Sequence, residues 1–369
     1  MASVYKSFTA NDVTNTRTLL NESIPVTGSI ISGTYSYNNI KTYSHGMFTS
    51  MYDYPYLSSS ANHIFDTTVV IGTQSGLYSS VTSQQAKKAA IYNQMAQVLV
   101  GFDETGSVRR FDEDGTLTTG SKIDGGFVIS LSRLLVKDEI KKGTFSLELG
   151  VSGTYNQPSD FTKRLVITDS GAASNYRVNS PAGEYGILYA SSSGATQVFA
   201  TASKQAGGAS AQPVGLIYYQ AGIVVLNAQY LFYTNTEGGL LTSSVAPNGV
   251  VSGSGGSLTS ILTTQPIDSG SYFLYNRFYN MSFNNTTELN STVYFCRVNH
   301  NEFNYSANPT YLTGSQIRVK TRRTDPPVAY ITSVGMYSAD RELLAVAKLS
   351  EPLRKDPNNE LTLRVRLDY

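Results

Sequence analysis

The chain has 369 residues, and 28 Lys+Arg against 27 Asp+Glu leave a formal charge of +1, so no global field steers it to nucleic acid or to an anionic membrane. Charged residues make up only 15% of it, below the roughly 25% usual for globular domains, and Ser, Thr, Asn, Gly and 26 tyrosines fill the space, a composition suited to sheet surfaces, tight turns and packed assemblies. One cysteine, Cys296, excludes an intrachain disulfide and a cysteine zinc cluster, and no run approaches the roughly eighteen apolar residues of a membrane helix.

Residues 1–9 lack the apolar core of a secretory signal, so synthesis in a cytoplasm is expected, with export only if something else carries the chain. Thr9 to Asp12 and the polar run up to Leu20 read as the start of a short helix. From Ile24 to residue 65, Pro25, Gly28, Gly33 and repeated β-branched residues favour short strands and turns. Tyr35, Tyr37, Tyr43, Tyr52, Tyr54 and Tyr56 crowd into this stretch. Such rings can stack on apolar sugar faces, but tyrosine is more often an interface or core residue, because it gives a large contact for little lost entropy.

One helix stands out, over residues 83–99. Ser83 is placed to cap it and Gly101 to stop it, while Ile91, Met95, Val98 and Leu99 recur at helical spacing and Lys87 and Lys88 fall in the polar first turns. Asp112-Glu-Asp-Gly115 is oxygen-rich enough to suggest a calcium loop, but no glutamate stands at the twelfth position, so a solvated turn is expected. Residues 127–131 read as a strand and 133–142 as a solvated segment. Phe145, Leu147 and Leu149 alternate with Ser146 and Glu148, as in a half-buried strand. Continuous apolar runs at 185–190, 214–219 and 222–226 fit strands buried on both faces, and 194–208 and 249–256 look like loops.

Residues 270–283 fit strand and helix equally. The basic strip Arg318, Lys320, Arg322 and Arg323 reads as a solvated strand face or a seam to a neighbouring subunit, and nucleic acid is not an expected partner. Three strands close the chain. Residues 328–337 are followed by 343–349, which stop at Ser350-Glu-Pro352. Leu361, Leu363, Val365 and Leu367 then alternate with Thr362, Arg364, Arg366 and Asp368. Such strands need a second sheet, from upstream or from another chain, to cover their apolar face.

Chemistry is hard to find. The three histidines, His45, His63 and His300, have no metal-ligand spacing, no G-x-S-x-G elbow occurs, and the Gly-rich stretches lack the Lys-Ser/Thr of a phosphate loop. Asp103, Asp112, Asp160 and Glu184 would be arbitrary picks for a carboxylate pair. Cys296 reads as a small buried hydrophobe. No catalytic, cofactor-binding or metal-binding residue is assigned, no cofactor is expected, and the chain is not read as an enzyme.

A resemblance supplies more. Residues 331–348, Ile-Thr-Ser-Val-Gly-Met-Tyr, a turn, then Leu-Leu-Ala-Val-Ala-Lys, resemble a pattern found in tailed-phage virion proteins, and more loosely the attachment domains of phage tail-collar fibres. Residues 294–311, together with His45-Gly-Met-Phe48, Tyr52-Asp-Tyr-Pro-Tyr-Leu57 and the run 94–101, resemble structural proteins of contractile-tailed phages that infect marine cyanobacteria. The likeness covers most of the chain, residues 195–270 aside, and implies a location, the virion, without chemistry. The expected fold is mainly β, with two or three sandwich-like units divided at 1–150, 151–270 and 271–369. The expected function is that of a tail, baseplate or fibre-attachment component, assembled in the host cytoplasm, with other virion subunits and further copies of itself as partners and no membrane. Tyr330, Tyr337, Leu344, Val346, Phe303, Tyr305 and Tyr311 are the candidate interface residues. The alternatives are a glycan-binding fibre or spike, and a neck or head decoration protein.

Overall fold

A computed structural model describes residues 5–25, 37–79, 82–150, 164–169, 171–193, 213–228, 258–275, 277–306, 308–314, 316–318, 320, 322 and 324–369. Tyr35, Asp160, Arg323 and the expected loops at 194–208 and 249–256 lie outside them. The strands in chain order are β1 Val13–Pro25, β2 Ile40–Thr42, β3 Thr49–Tyr52, β4 His63–Ile71, β5 Gly125–Leu131, β6 Glu139–Ile140, β7 Ser146–Gly150, β8 Arg164–Thr168 and β9 Tyr176–Arg177. They continue as β10 Tyr185–Ser193, β11 Pro213–Tyr218, β12 Ile223–Asn227, β13 Phe278–Val298, β14 Leu312–Thr313, β15 Gln316–Ile317, β16 Ala329–Tyr337, β17 Leu343–Lys355 and β18 Leu361–Asp368. Among the described residues four α-helices accompany them: α1 Ser83–Leu99, α2 Arg133–Val136, α3 Leu258–Leu262 and α4 Ile267–Tyr275. The fold is mainly β, as expected, and α1 has the expected bounds. None of the helices among the described residues is long and apolar enough to cross a membrane.

The chain divides into two compact units, residues 20–287 and residues 1–19 with 288–369. This differs from the expected divisions near 150 and 270. Strand pairing explains the difference: β7 pairs with β8 on one side and with the start of β13 on the other, so no break in hydrogen bonding falls at either place.

In the larger unit the strand order is β13-β7-β8-β10-β11-β12-β5-β4-β3-β2, antiparallel in every described pairing. The period of two sends neighbouring residues to opposite faces, and both faces are covered. Phe65, Val69, Phe127, Ile129, Val224 and Leu226 enter one core, shared with Leu147, Leu149, Leu165 and Ile167 and with Ile261, Leu262, Phe273 and Leu274 of α3 and α4. Strands distant in the order therefore face each other: Phe65 of β4 stacks on Phe278 of β13 with centroids 5.1 Å apart. Val70, Val128 and Val225 point the other way, into a second core where Ile91, Tyr92, Ala96 and Leu99 of α1 pack. Each such side chain contributes roughly 1.5–3 kcal/mol. Two-sided burial is why β10, β11 and β12 read as unbroken apolar runs.

Several local expectations are corrected. The helix expected near Thr9 is only a 3₁₀ turn, Ala10–Asp12, followed by β1, where Val13, Thr14, Thr16 and Thr18 favour extended backbone. Thr82, one residue before Ser83, caps α1, its hydroxyl accepting the Gln85 N–H at 3.3 Å. Gly101 ends α1 as expected, at φ +85°, donating to the Ala96 carbonyl at 3.0 Å. Val98 is exposed, and Lys88 is buried. The segment 133–142 is not merely solvated, since Val136 and Ile140 lie in the core. Residues 270–283 divide between the end of α4 and the start of β13.

In the smaller unit β13 pairs with β1 and, from Ser291 to Val298, with β18. Of the four alternating aliphatics of β18, only Val365 is buried, and Leu361, Leu363 and Leu367 are half-buried. β16 and β17 form a separate antiparallel hairpin. β17 does not stop at Ser350 but runs to Lys355, carrying Pro352 through a shift of register between Ile331 and Ser333, where a residue without an N–H costs no regular ladder bond.

Candidate functional site

Several titratable groups that could carry chemistry are held by structural contacts. Ser50, Asp66 and His63 meet on β3 and β4, but the carboxylate is in the middle: Asp66 Oδ1 accepts from Ser50 Oγ at 2.5 Å and lies 2.8 Å from His63 Nε2. A nucleophilic serine needs the imidazole in that middle place, so the trio is not a hydrolytic triad. His300 lies 3.3 Å from Glu360 on the surface. Asp103 is held by its own turn, through Thr105 and Ser107, and Glu184 pairs with Lys142. Cys296 is half-buried, and burial pushes its thiol up, away from a reactive thiolate. Among the described residues no group of three His, Cys, Asp or Glu could hold a metal. Arg318, in the basic strip, is spent on Thr313 Oγ1 and the Thr310 carbonyl, each at 3.3 Å.

The oxygen-rich loop at Asp112 is not a simple solvated turn. Asp112, 1% exposed, accepts the N–H groups of Asp114, Gly115 and Thr116 on Oδ1, while its Oδ2 pairs with the Lys122 ammonium. Lys122 also donates to the carbonyls of Leu117 and Thr119, both at 3.0 Å. A tethered ammonium thus occupies the centre of the loop.

What remains is surface. On the β16–β17 hairpin Leu344 is 68% exposed, Leu343 54%, Val346 53%, Tyr337 45% and Tyr330 43%. Met336 and Ala329 point to the buried face, and Val334, Ala345 and Ala347 are half-buried beside them. Among the described residues the two strands pair only with each other. Gly335, opposite Val346, leaves room over the strand, and a Cβ there would lie 3.0 Å from the Tyr337 ring and 3.4 Å from Leu343. Tyr337, Leu343 and Val346 therefore share one open apolar face.

Comparison with known proteins adds nothing to that geometry. No family model, no curated protein and no solved structure matches the chain.

Of the seven candidate interface residues, Tyr337, Leu344 and Val346 come together near the turn of the hairpin, where Tyr337 also makes an edge-on contact with Tyr5 at 5.0 Å, whereas Tyr330 stands at the other end of the strands, opposite Arg354 and 6.4 Å from the Tyr311 ring. Phe303 and Tyr305 are exposed on a separate loop, at 41% and 44%. Lys355 pins that loop, its ammonium donating to the His300 carbonyl and to Asn304 Oδ1. Tyr311 is half-buried, and its hydroxyl donates to the Val328 carbonyl at 2.8 Å. Leu343 was missed. Its signal is the run Leu343-Leu344-Ala345-Val346, apolar at both parities of a strand that has only one covered face.

Proposed function

We propose that this protein is a structural component of a tailed-phage virion, in the tail, baseplate or fibre-attachment region, and that it acts by assembly with neighbouring subunits. The observation that carries the reading is the open apolar face of the hairpin, on the stretch that also carries the family resemblance. Tyr337, Leu343, Leu344 and Val346 are already about half covered, so burying the rest of them would yield only about 1 kcal/mol each. Association itself costs about 4–15 kcal/mol, so this patch makes a stable complex only when further contacts share that cost, as in a symmetric particle with many neighbours. The free chain is then a monomer or small oligomer, and its partners are other virion proteins and other copies of itself.

Two measurements test this: light scattering of the purified chain, and immunogold labelling of intact particles. Label at the tail end, with assembly lost in the Leu344→Lys/Val346→Lys variant and melting unchanged, is the expected result. A stable trimer labelled along distal fibres would replace the proposal with a receptor-binding role. Label on the head or neck would keep assembly and move its place.

A further inference from the structure

The larger unit carries a second surface that assembly through the hairpin does not use. Lys41, Ser50 and Asp66 stand in a row across β2, β3 and β4, with Tyr52 and His63 the next cross-strand pair. The segment 43–48 folds beside this row. Thr68 holds it by donating to the Met47 carbonyl at 2.7 Å, and Lys87 by donating to the His45 carbonyl at 3.1 Å. Tyr43 and His45 stack with centroids 5.1 Å apart and planes 7° from parallel, and Phe48 lies 4.9 Å from His45. The Tyr43 hydroxyl joins the polar row through Ser50 Oγ at 3.1 Å. His45 is exposed, and its Nδ1 accepts the Met47 N–H at 3.0 Å, so in the neutral ring Nε2 carries the proton toward solvent. Asp66 uses only Oδ1 for Ser50 and His63, which leaves Oδ2 as an acceptor on a side chain one-third exposed.

We propose that this held aromatic platform with a free carboxylate oxygen at its rim binds a neutral carbohydrate. The groups already present decide the class of ligand. Lys41 stands in the same row as Asp66 and over the Tyr43 ring, Lys87 holds the His45 carbonyl, and His63 lies against Asp66, so neither sign of charge prevails around the platform and a neutral ligand fits it best. A sugar ring offers what is left: C–H faces for the rings, and hydroxyls that donate to Asp66 Oδ2 and accept from His45 Nε2.

The experiment is saturation-transfer NMR on the full chain with free glucose, galactose, mannose and N-acetylglucosamine at millimolar concentration. At least one sugar should receive saturation at its ring C–H protons. Affinity should fall about tenfold in Asp66→Asn and in His45→Ala, which corresponds to about 1.4 kcal/mol for each lost interaction. His45→Ala, at an exposed position, decides the matter if Asp66→Asn does not fold. Leu344→Lys should bind as the parent does. No transfer to any of the four sugars, or transfer undiminished in His45→Ala, overturns the proposal. Absence of transfer combined with protection of residues 43–52 from hydrogen exchange in the particle assigns the platform to a protein neighbour instead.

Discussion

Lys88 stands early in α1, where sequence patterning puts polar residues, yet it is fully buried and donates to the carbonyls of Ile261 at 2.6 Å and Gln265 at 2.7 Å. Burial lowers its amine from 10.5 to about 8, against the pull of two carbonyls that favour the ammonium. Between those values the unfolded chain holds a proton that the folded chain has lost, so stability rises with pH from about 8 toward 10, by at most about 3 kcal/mol. Above 10 the sign reverses. Burial raises the phenols of Tyr92, Tyr219 and Tyr275, so there the unfolded chain is the one that loses protons. Urea unfolding across pH 7–11 should show a maximum, and Lys88→Met should flatten its lower flank. Phe303 offers a second test, since it holds φ at +52°, a conformation that costs a residue with a Cβ about 1–2 kcal/mol. Phe303→Gly should leave melting unchanged or raised by a few degrees, and should weaken only assembly if the exposed ring is kept for a neighbour.

At the scale of the element, α1 shows what periodicity conveys and what it omits. Its bounds, its stop at Gly101 and the core roles of Ile91 and Leu99 were legible, because a 3.6-residue period and a helix-ending glycine are local properties. Val98 and Lys88 were misread, because the sheet and α3 decide which arc of the helix is covered, and α3 is 170 residues away in sequence (258 − 88). Ile91→Ala should therefore cost about 2–4 kcal/mol, whereas Val98→Lys should stay within about 0.5 kcal/mol, both by denaturant midpoint. β17 teaches the same lesson. Ser350-Glu-Pro352 looks like a stop, but an irregular register lets the strand pass through it.

At the scale of the molecule, the smaller unit is assembled from both ends of the chain, residues 1–19 and 288–369. Asn15 Oδ1 accepts from Thr292 at 2.9 Å, Arg297 pairs with Asp12 at 2.8 Å, and Tyr5 packs on Tyr337. Deleting residues 1–19 would uncover the hydrogen-bonding edge of β13 and the Tyr337 ring while removing no core residue of the larger unit. Limited proteolysis should then cut within 288–369 and leave a resistant body from the larger unit. Equal resistance of both parts would show that the N-terminal strand does not stabilise the C-terminal one.

The sequence by itself determined that the chain is mainly β, where the helix at 83–99 lies, and which strands are apolar on both sides. These follow from periods of two and 3.6 and from short spacings. The tertiary structure decided the rest. It showed that the units divide by strand pairing rather than by composition, that a lysine fills the loop at Asp112, that Tyr311 turns inward while Leu343 turns out, and that Tyr43, His45 and Asp66 share a surface. Each depends on which residues distant in the chain are brought together, and hydrogen bonding and burial between strands settle that only once the whole sheet has formed.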